Sequence, residues 1–263
     1  MKLRPKKYLG QNFLVDPNIR QKIVSSCELK PTDIILEIGP GRGALTKMIA
    51  PLVKETIAIE KDKDLIDPLK EEFKNTNVTI VHADILKYPF LNLPFHVKAV
   101  GNLPYNIATA VIEKLLLHRE HFDGCYLTVQ LEHANRLTAR PHTKDYGSFS
   151  CFVQYYAEIK KLFRIKNTAF WPAPKIQSCF IKMIPFKEAP FKTLDERFLF
   201  KVIQKAFNQR RKTIRNSLSK LIDKENLLPA LKTLHISPQS RAENLSLQDF
   251  IDIADLISLH PSL

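Results

Sequence analysis

Cysteine, glycine, tryptophan and acidic side chains are all scarce in this 263-residue chain. Its four cysteines, Cys27, Cys125, Cys151 and Cys179, form no CxxC pair and no His–Cys cluster at metal-ligand spacing. That argues against a zinc site or a disulfide framework, and the expectation is reduced, mostly buried thiols with no metal. No apolar run approaches the length of a membrane span, and the basic start MKLRPKKYLGQNF lacks the apolar segment of a secretory signal. The expected location is therefore the cytoplasm, with no membrane partner. Acidic residues number 27 against 40 basic ones, a formal charge of +13, which favours a polyanionic partner without demanding one. Of only seven glycines, three (Gly39, Gly41 and Gly43) share one short stretch.

What the chain does have, from about residue 34 to 130, is an alternation of β-rich runs and helical patterns. IILEI, TIAIE, VTIVHA, VKAVGN and YLTVQ read as strands; Ala44 to Pro51, Leu65 to Lys74 and Thr109 to His118 read as helices. The pattern predicts an α/β fold with a mostly parallel sheet covered by helices on both faces. A polar loop spans Thr138 to Phe149, and further β-rich runs follow it, ending in IQSCFIKMIPF. KEAPFKTLDE then reads as a linker, and three helices are expected beyond it, at Phe198 to Lys220, Asn226 to Leu234 and Leu247 to Leu259. The expected division is a catalytic domain over 1–187 and a small helical domain over 188–263.

Ligands of such sheets bind at the carboxyl ends of the strands. The first strand runs into EIGPGRGALT, where glycines allow a tight turn and let a ligand approach backbone N–H groups. That loop alone leaves two ligands open, a dinucleotide or S-adenosylmethionine. Successive strand ends then carry Glu37 and Gly39, Glu60, Asp84 and Asn102. After the fourth comes the wholly uncharged set Asn102, Leu103, Pro104 and Tyr105. Hydride transfer calls for a placed general acid, which is missing there. Methyl transfer from a sulfonium needs mainly alignment and hydrogen-bond acceptors. The Asn102 oxygen and a carbonyl at the Leu103–Pro104 step can accept from an exocyclic amine, and Tyr105 can stack on its base.

These stretches resemble, in order and nearly end to end, the ribosomal RNA adenine dimethyltransferases of the KsgA type: LGQNFL, EIGPGRGALT, AIEKDKDL, HADIL, NLPYNIAT, FWPAPKIQS, NQRRKTIRNSL and RAENLS. The resemblance implies a Rossmann-like, S-adenosylmethionine-dependent methyltransferase sheet, mostly parallel with its last strand antiparallel, followed by an all-helical C-terminal domain. It implies that Gln11, Asn12, Leu14, Gly39, Gly41, Gly43, Glu60, Lys61, Asp84, Ile85 and Asn102 hold the methyl donor. It also implies that Phe170 closes over the target adenine opposite Tyr105, with Asn102, Leu103 and Pro104 at the point of transfer. Trp171, the single tryptophan, is read as a core anchor. The implied partner is small-subunit rRNA within an immature 30S particle, bound by a monomer. Lys175, Arg210, Arg211, Lys212 and Arg215 are the phosphate-contact candidates; nine basic residues stand against one acidic between Arg197 and Lys224. Lys2, Arg4, Lys6 and Lys7 are a weaker second set. Leu131, where the family usually has lysine, and Ala173, where it has proline, depart from the pattern. Enzymes acting on large-subunit rRNA, and an assembly factor with dispensable catalysis, are the competing readings.

Overall fold

The computed structural model describes residues 4–259. They divide into two compact units, one of residues 4–134 with 158–185, the other of residues 135–157 with 186–259.

The first unit opens with β1 (Phe13–Leu14) and α1 (Pro17–Ser26). Asp16 caps α1, its carboxylate accepting from the Asn18 and Ile19 N–H groups, and Pro17 supplies a first helical residue that has no N–H to satisfy. Next come β2 (Ile34–Ile38), α2 (Thr46–Ile49), β3 (Glu55–Glu60), α3 (Lys63–Glu72), β4 (Val78–His82), β5 (Val97–Asn102), α4 (Ala108–Leu117) and β6 (Phe122–Gln130). The short helix α5 (Leu131–Leu137) and the helix α6 (Ser148–Tyr156) follow. The chain then returns through β7 (Ala157–Ile165), β8 (Phe170–Trp171) and β9 (Ser178–Pro185).

Seven strands form one sheet in the order β4-β3-β2-β5-β6-β9-β7. Neighbours from β4 to β6 pair in parallel, and β9 runs antiparallel to β6. The last strand of the chain, β9, is antiparallel as expected, and β7 lies outside it at the edge of the sheet. The apolar runs of β2 and β6 reflect burial on both faces, as a helix-covered parallel sheet requires. The chain walks outward from β2 through β3 to β4, then crosses to β5 on the other side of β2. A crevice must therefore open beyond the ends of β2 and β5, where the direction of winding reverses. Gly101 lets these two strands close up: a Cβ there would lie 3.0 Å from the Ile38 carbonyl oxygen. β1 and β8 form a separate two-stranded ladder, pairing Phe13 with Trp171 and Leu14 with Phe170.

The second unit differs from the expected 188–263 in taking in residues 135–157. The physical reason is aromatic. Ser148–Tyr156, expected in a β-rich stretch, is the helix α6, and its Phe152, Tyr155 and Tyr156 rings all lie within 6 Å of the Phe200 ring. Phe200 lies on α7 (Glu196–Phe207), which is followed by α8 (Ile214–Leu218), α9 (Lys224–Thr233) and α10 (Leu247–Leu259). The single helix expected from Phe198 to Lys220 is thus two. It breaks because Thr213 turns extended and caps α8, while the Ile214 N–H is drawn to the Ser240 carbonyl at 2.6 Å. The basic residues between the two helices consequently do not fan from one helical face.

Phe250 on α10 is fully buried, its ring centroid 5.7 Å from that of Phe207. Phe250→Ala should cost about 3–5 kcal/mol, read as a lowered urea midpoint at unchanged slope. A loss under about 1 kcal/mol would contradict this packing.

Candidate active site

The cleft beyond the strand ends opens to solvent and is built wholly within the first unit. It is lined by Ile38, Ile59 and Ala83, by Gly39, Gly41, Glu60, Lys61, Asp84 and Ile85, by Asn102 through Ile107, and by Tyr8 to Phe13 of the N-terminal segment. An adjoining open cleft shares Phe13, Gly39, Gly41 and Asn102 and adds Leu14, Glu37 and Arg42.

Glu60 is buried at the end of β3 and ties two loops together: it accepts the Gly41 N–H at 3.0 Å and the Asp62 N–H at 2.7 Å. Burial raises its pKa above the ordinary value despite those donors. Asp84 accepts the Leu86 N–H at 3.0 Å and meets the Lys61 ammonium at 2.9 Å. Burial pushes its carboxyl up, but Lys61 and the Leu86 N–H outweigh that and hold it below the usual range. Lys114 supports the turn after Asp84 from behind, donating to the Ile85 and Leu86 carbonyls at 3.0 Å each and to that of Tyr88. Its ammonium also lies 4.7 Å from the centre of the Phe90 ring.

Asn102 donates from Nδ2 to the Asn12 carbonyl at 2.8 Å, which leaves Oδ1 as the acceptor of that amide. Leu103 is 1 % exposed and donates its N–H to the Thr128 carbonyl at 3.1 Å. The Pro104 carbonyl is taken by the Ile107 N–H, so Leu103 supplies the carbonyl at the Leu–Pro step. Tyr105 is half-buried with its hydroxyl 2.6 Å from that of Ser178, and burial raises its pKa. The N-terminal segment is pinned at two further points. Lys6 and Gln11 both donate to the Asp62 carboxylate, and a Cβ on Gly10 would fall 2.9 Å from Asn106 Oδ1.

Most of the residues expected at the site therefore meet in one place: Gln11, Asn12, Gly39, Gly41, Glu60, Lys61, Asp84, Ile85 and Asn102 through Tyr105. Leu14 lines the adjoining cleft instead. Gly43 lines neither; at φ +71° its missing Cβ makes room for the Phe73 ring, 2.9 Å from where that atom would be.

Of the two adjacent aromatics, Trp171 departs from its reading as a core anchor, while Phe170, expected over the target adenine, is packed in the core. Phe170 is 3 % exposed and belongs to a core cluster with Leu14, Ile23 and Phe180, whereas Trp171 stands 47 % exposed. In an antiparallel ladder adjacent side chains point to opposite faces, so one of the pair must be buried and the other shown.

Among the basic candidates, Lys175, Arg211 and Lys212 are exposed and Arg215 is half-buried. Arg210 serves the fold of the second unit, donating to the Lys144 and Tyr146 carbonyls at 2.7 and 3.1 Å. Lys6 is likewise committed, to Asp62 and Asp64, and Lys2 lies outside the described residues. Sequence reasoning missed Tyr8, Asn106, Asp62 and Lys114. Asp62 carried a signal, as the carboxylate capping α3, where its side chain accepts from the Asp64 N–H. Lys114 carried none.

Comparison with known proteins agrees with this geometry. The family model described as ribosomal RNA adenine dimethylase matches residues 2–259. A protein named ribosomal RNA small subunit methyltransferase A from Clostridium botulinum is 39% identical over 256 residues, covering 95% of this chain and 93% of the relative. One of the same name from Lysinibacillus sphaericus is 39% identical over 265 residues, covering 96% and 90%. Among solved structures, a dimethyladenosine transferase from Plasmodium falciparum superposes with a TM-score of 0.81 at 25% identity, covering 95% of this chain and 97% of that one. The 23S rRNA methyltransferase ErmE shares the fold, with a TM-score of 0.73 at 22% identity over 94% of this chain and all of that one.

Glu37, in the adjoining cleft, is 2 % exposed with Oε2 unpartnered, and burial pushes its carboxyl up to about 7. A raised acid favours the folded state while protonated. Its contribution is full below the ordinary glutamate value of 4.5 and is lost as pH rises through about 7. Glu37→Gln should flatten this part of the stability profile, removing a decline of about 3 kcal/mol between those limits. An unchanged profile in urea unfolding at stepped pH would contradict the assignment.

Proposed function

The chain belongs to the ribosomal RNA adenine dimethylase family, and we propose that it methylates two adjacent adenosines at N6 in a small-subunit rRNA hairpin near the 3′ end. The product is N6,N6-dimethyladenosine at both, made on an immature 30S subunit. The observation that carries this reading is the Asn102–Tyr105 edge: an amide whose oxygen is the free acceptor, a carbonyl beside it and a phenol, with no acid or base among them.

The residues present fit S-adenosylmethionine. Gly39 has φ +69° and nothing within 4 Å of where a Cβ would stand, so the backbone is open to a ligand at the mouth of the glycine loop. Asp84, ionised at neutral pH, can accept from an adenine amino group, and Glu60 can reach a ribose. Asn12 and Asn102, joined by a hydrogen bond, line the same cleft.

When bound there, S-adenosylmethionine supplies a methyl group already activated on a sulfonium. Asn102 Oδ1 and the Leu103 carbonyl accept the two N–H bonds of the target amine. Holding both hydrogens out of the ring plane localises the nitrogen lone pair, which in a free adenine is delocalised into the ring. Tyr105 stacks on the base and offsets part of the few kcal/mol needed to extract it. Burial keeps its phenol protonated, so it does not act as the base. None is needed, because the amine becomes acidic once alkylated and its proton passes to water.

Four free, buried cysteines and a ribosomal substrate support a cytoplasmic location. Exposed Lys175, Arg211 and Lys212 are the side chains proposed to meet RNA phosphates.

Mass spectrometry of rRNA nucleosides after incubation with immature small subunits and S-adenosylmethionine should show dimethyladenosine in small-subunit rRNA. Methylation of large-subunit rRNA alone would overturn the choice of substrate. Asn102→Ala should cut turnover about a hundredfold or more while particle binding persists. An unchanged rate would remove Asn102 from the mechanism.

A further inference from the structure

Trp171 is the only tryptophan in the chain, and its indole is 47 % exposed although the residue before it is in the core. One face is occupied: the Arg42 guanidinium lies 5.2 Å from the ring centre and, at 4.8 Å, over the ring of Phe13 as well. Phe13 lines both clefts and is the register partner of Trp171 in the β1–β8 ladder. The loop that begins at Trp171 ends at Ser178, whose hydroxyl meets Tyr105 at 2.6 Å. This exposed loop is thus tied at both ends to residues of the active site, and it carries the exposed cation Lys175.

We propose that Trp171, backed by Arg42, is a stacking platform for a nucleotide flanking the target adenosine, with Lys175 on the adjoining phosphate. The proposal rests on the reading of the protein as an RNA adenine methyltransferase. A base drawn out of a helix leaves neighbours that have lost a stacking partner, and an exposed indole replaces it without regard to sequence. An arginine on the far face makes the platform rigid and adds positive potential where a phosphodiester passes. The core beneath is closed by Phe170, Leu14 and Phe180, so the Trp171 indole lies outside it.

A lone tryptophan makes the platform directly visible, because stacking on a nucleobase quenches indole emission. The wild-type protein is titrated with a short RNA hairpin carrying two adjacent adenosines in its loop, and methylation of immature small subunits is measured in parallel. Saturable quenching is expected. In Trp171→Ala the KM for the RNA particle should rise about tenfold, with S-adenosylmethionine affinity by calorimetry unchanged; Trp171→Phe should restore most of the loss. Methylation with unquenched emission and an unaltered KM in Trp171→Ala would overturn the platform and leave the reaction standing. Quenching without any methylation would overturn the reaction and leave the platform.

Discussion

Parallel pairing of β4, β3, β2 and β5 is the constraint on which the site depends. Ile38 lies opposite Ile59 on one side and Gly101 on the other, and Glu60 lies opposite His82. With these strands in step, the residues at or just past their ends emerge along one edge. Gly39, Glu60, Asp84 and Asn102 therefore become neighbours although 63 positions separate the first from the last. A slip of one residue in any strand would turn its side chains to the other face and take its contribution out of the cleft. The close approach at Gly101 keeps that slip costly between β2 and β5, because any side chain moved to that position would meet the Ile38 carbonyl at about 3.0 Å.

The edge would be an open shelf without the N-terminal segment, and opposite electrostatics hold the two together. Burial pushes Asp62 up, yet Lys6, Gln11 and the Asp64 N–H together hold its carboxyl below the ordinary value of 3.8. The Lys6 ammonium, bonded to Asp62 and Asp64, is raised in turn. This tether is fully charged at neutral pH and is lost only as pH falls through that depressed value. Glu60 and Glu37, buried with weaker compensation, are pushed the other way. One strand-end edge thus combines a carboxylate that clamps the chain, one that stays ionised towards the ligand at Asp84, and two whose charge is costly.

The strand ends were legible in the sequence because a buried parallel strand announces itself as an apolar run and its ligand-facing residue comes next. The VKAVGN run and its Asn102 needed nothing more. The second unit was harder. SFSCFVQYY reads as β-rich because its aromatics also suit strands, and only packing on Phe200 makes it a helix. The break after Phe207 depends on the Ser240 carbonyl and on a bridge from Thr213 to Arg241, partners far away in sequence. Phe170 and Trp171 could not be told apart by composition, since a two-residue strand has no alternation to reveal which ring faces inward. Lys114 was invisible for a similar reason: its role exists only once the carbonyls of Ile85, Leu86 and Tyr88 converge on it.

What remains at the centre is a site whose reacting edge carries no charge, flanked by carboxylates that bind rather than react. The most direct test is calorimetric titration of S-adenosylmethionine and of NAD into the wild type, Glu60→Ala and Asp84→Ala. Saturable binding of S-adenosylmethionine, weakened about tenfold or more by each substitution, with no heat from NAD, is the expected result. Binding of NAD in this cleft, or S-adenosylmethionine affinity indifferent to both substitutions, would contradict the account.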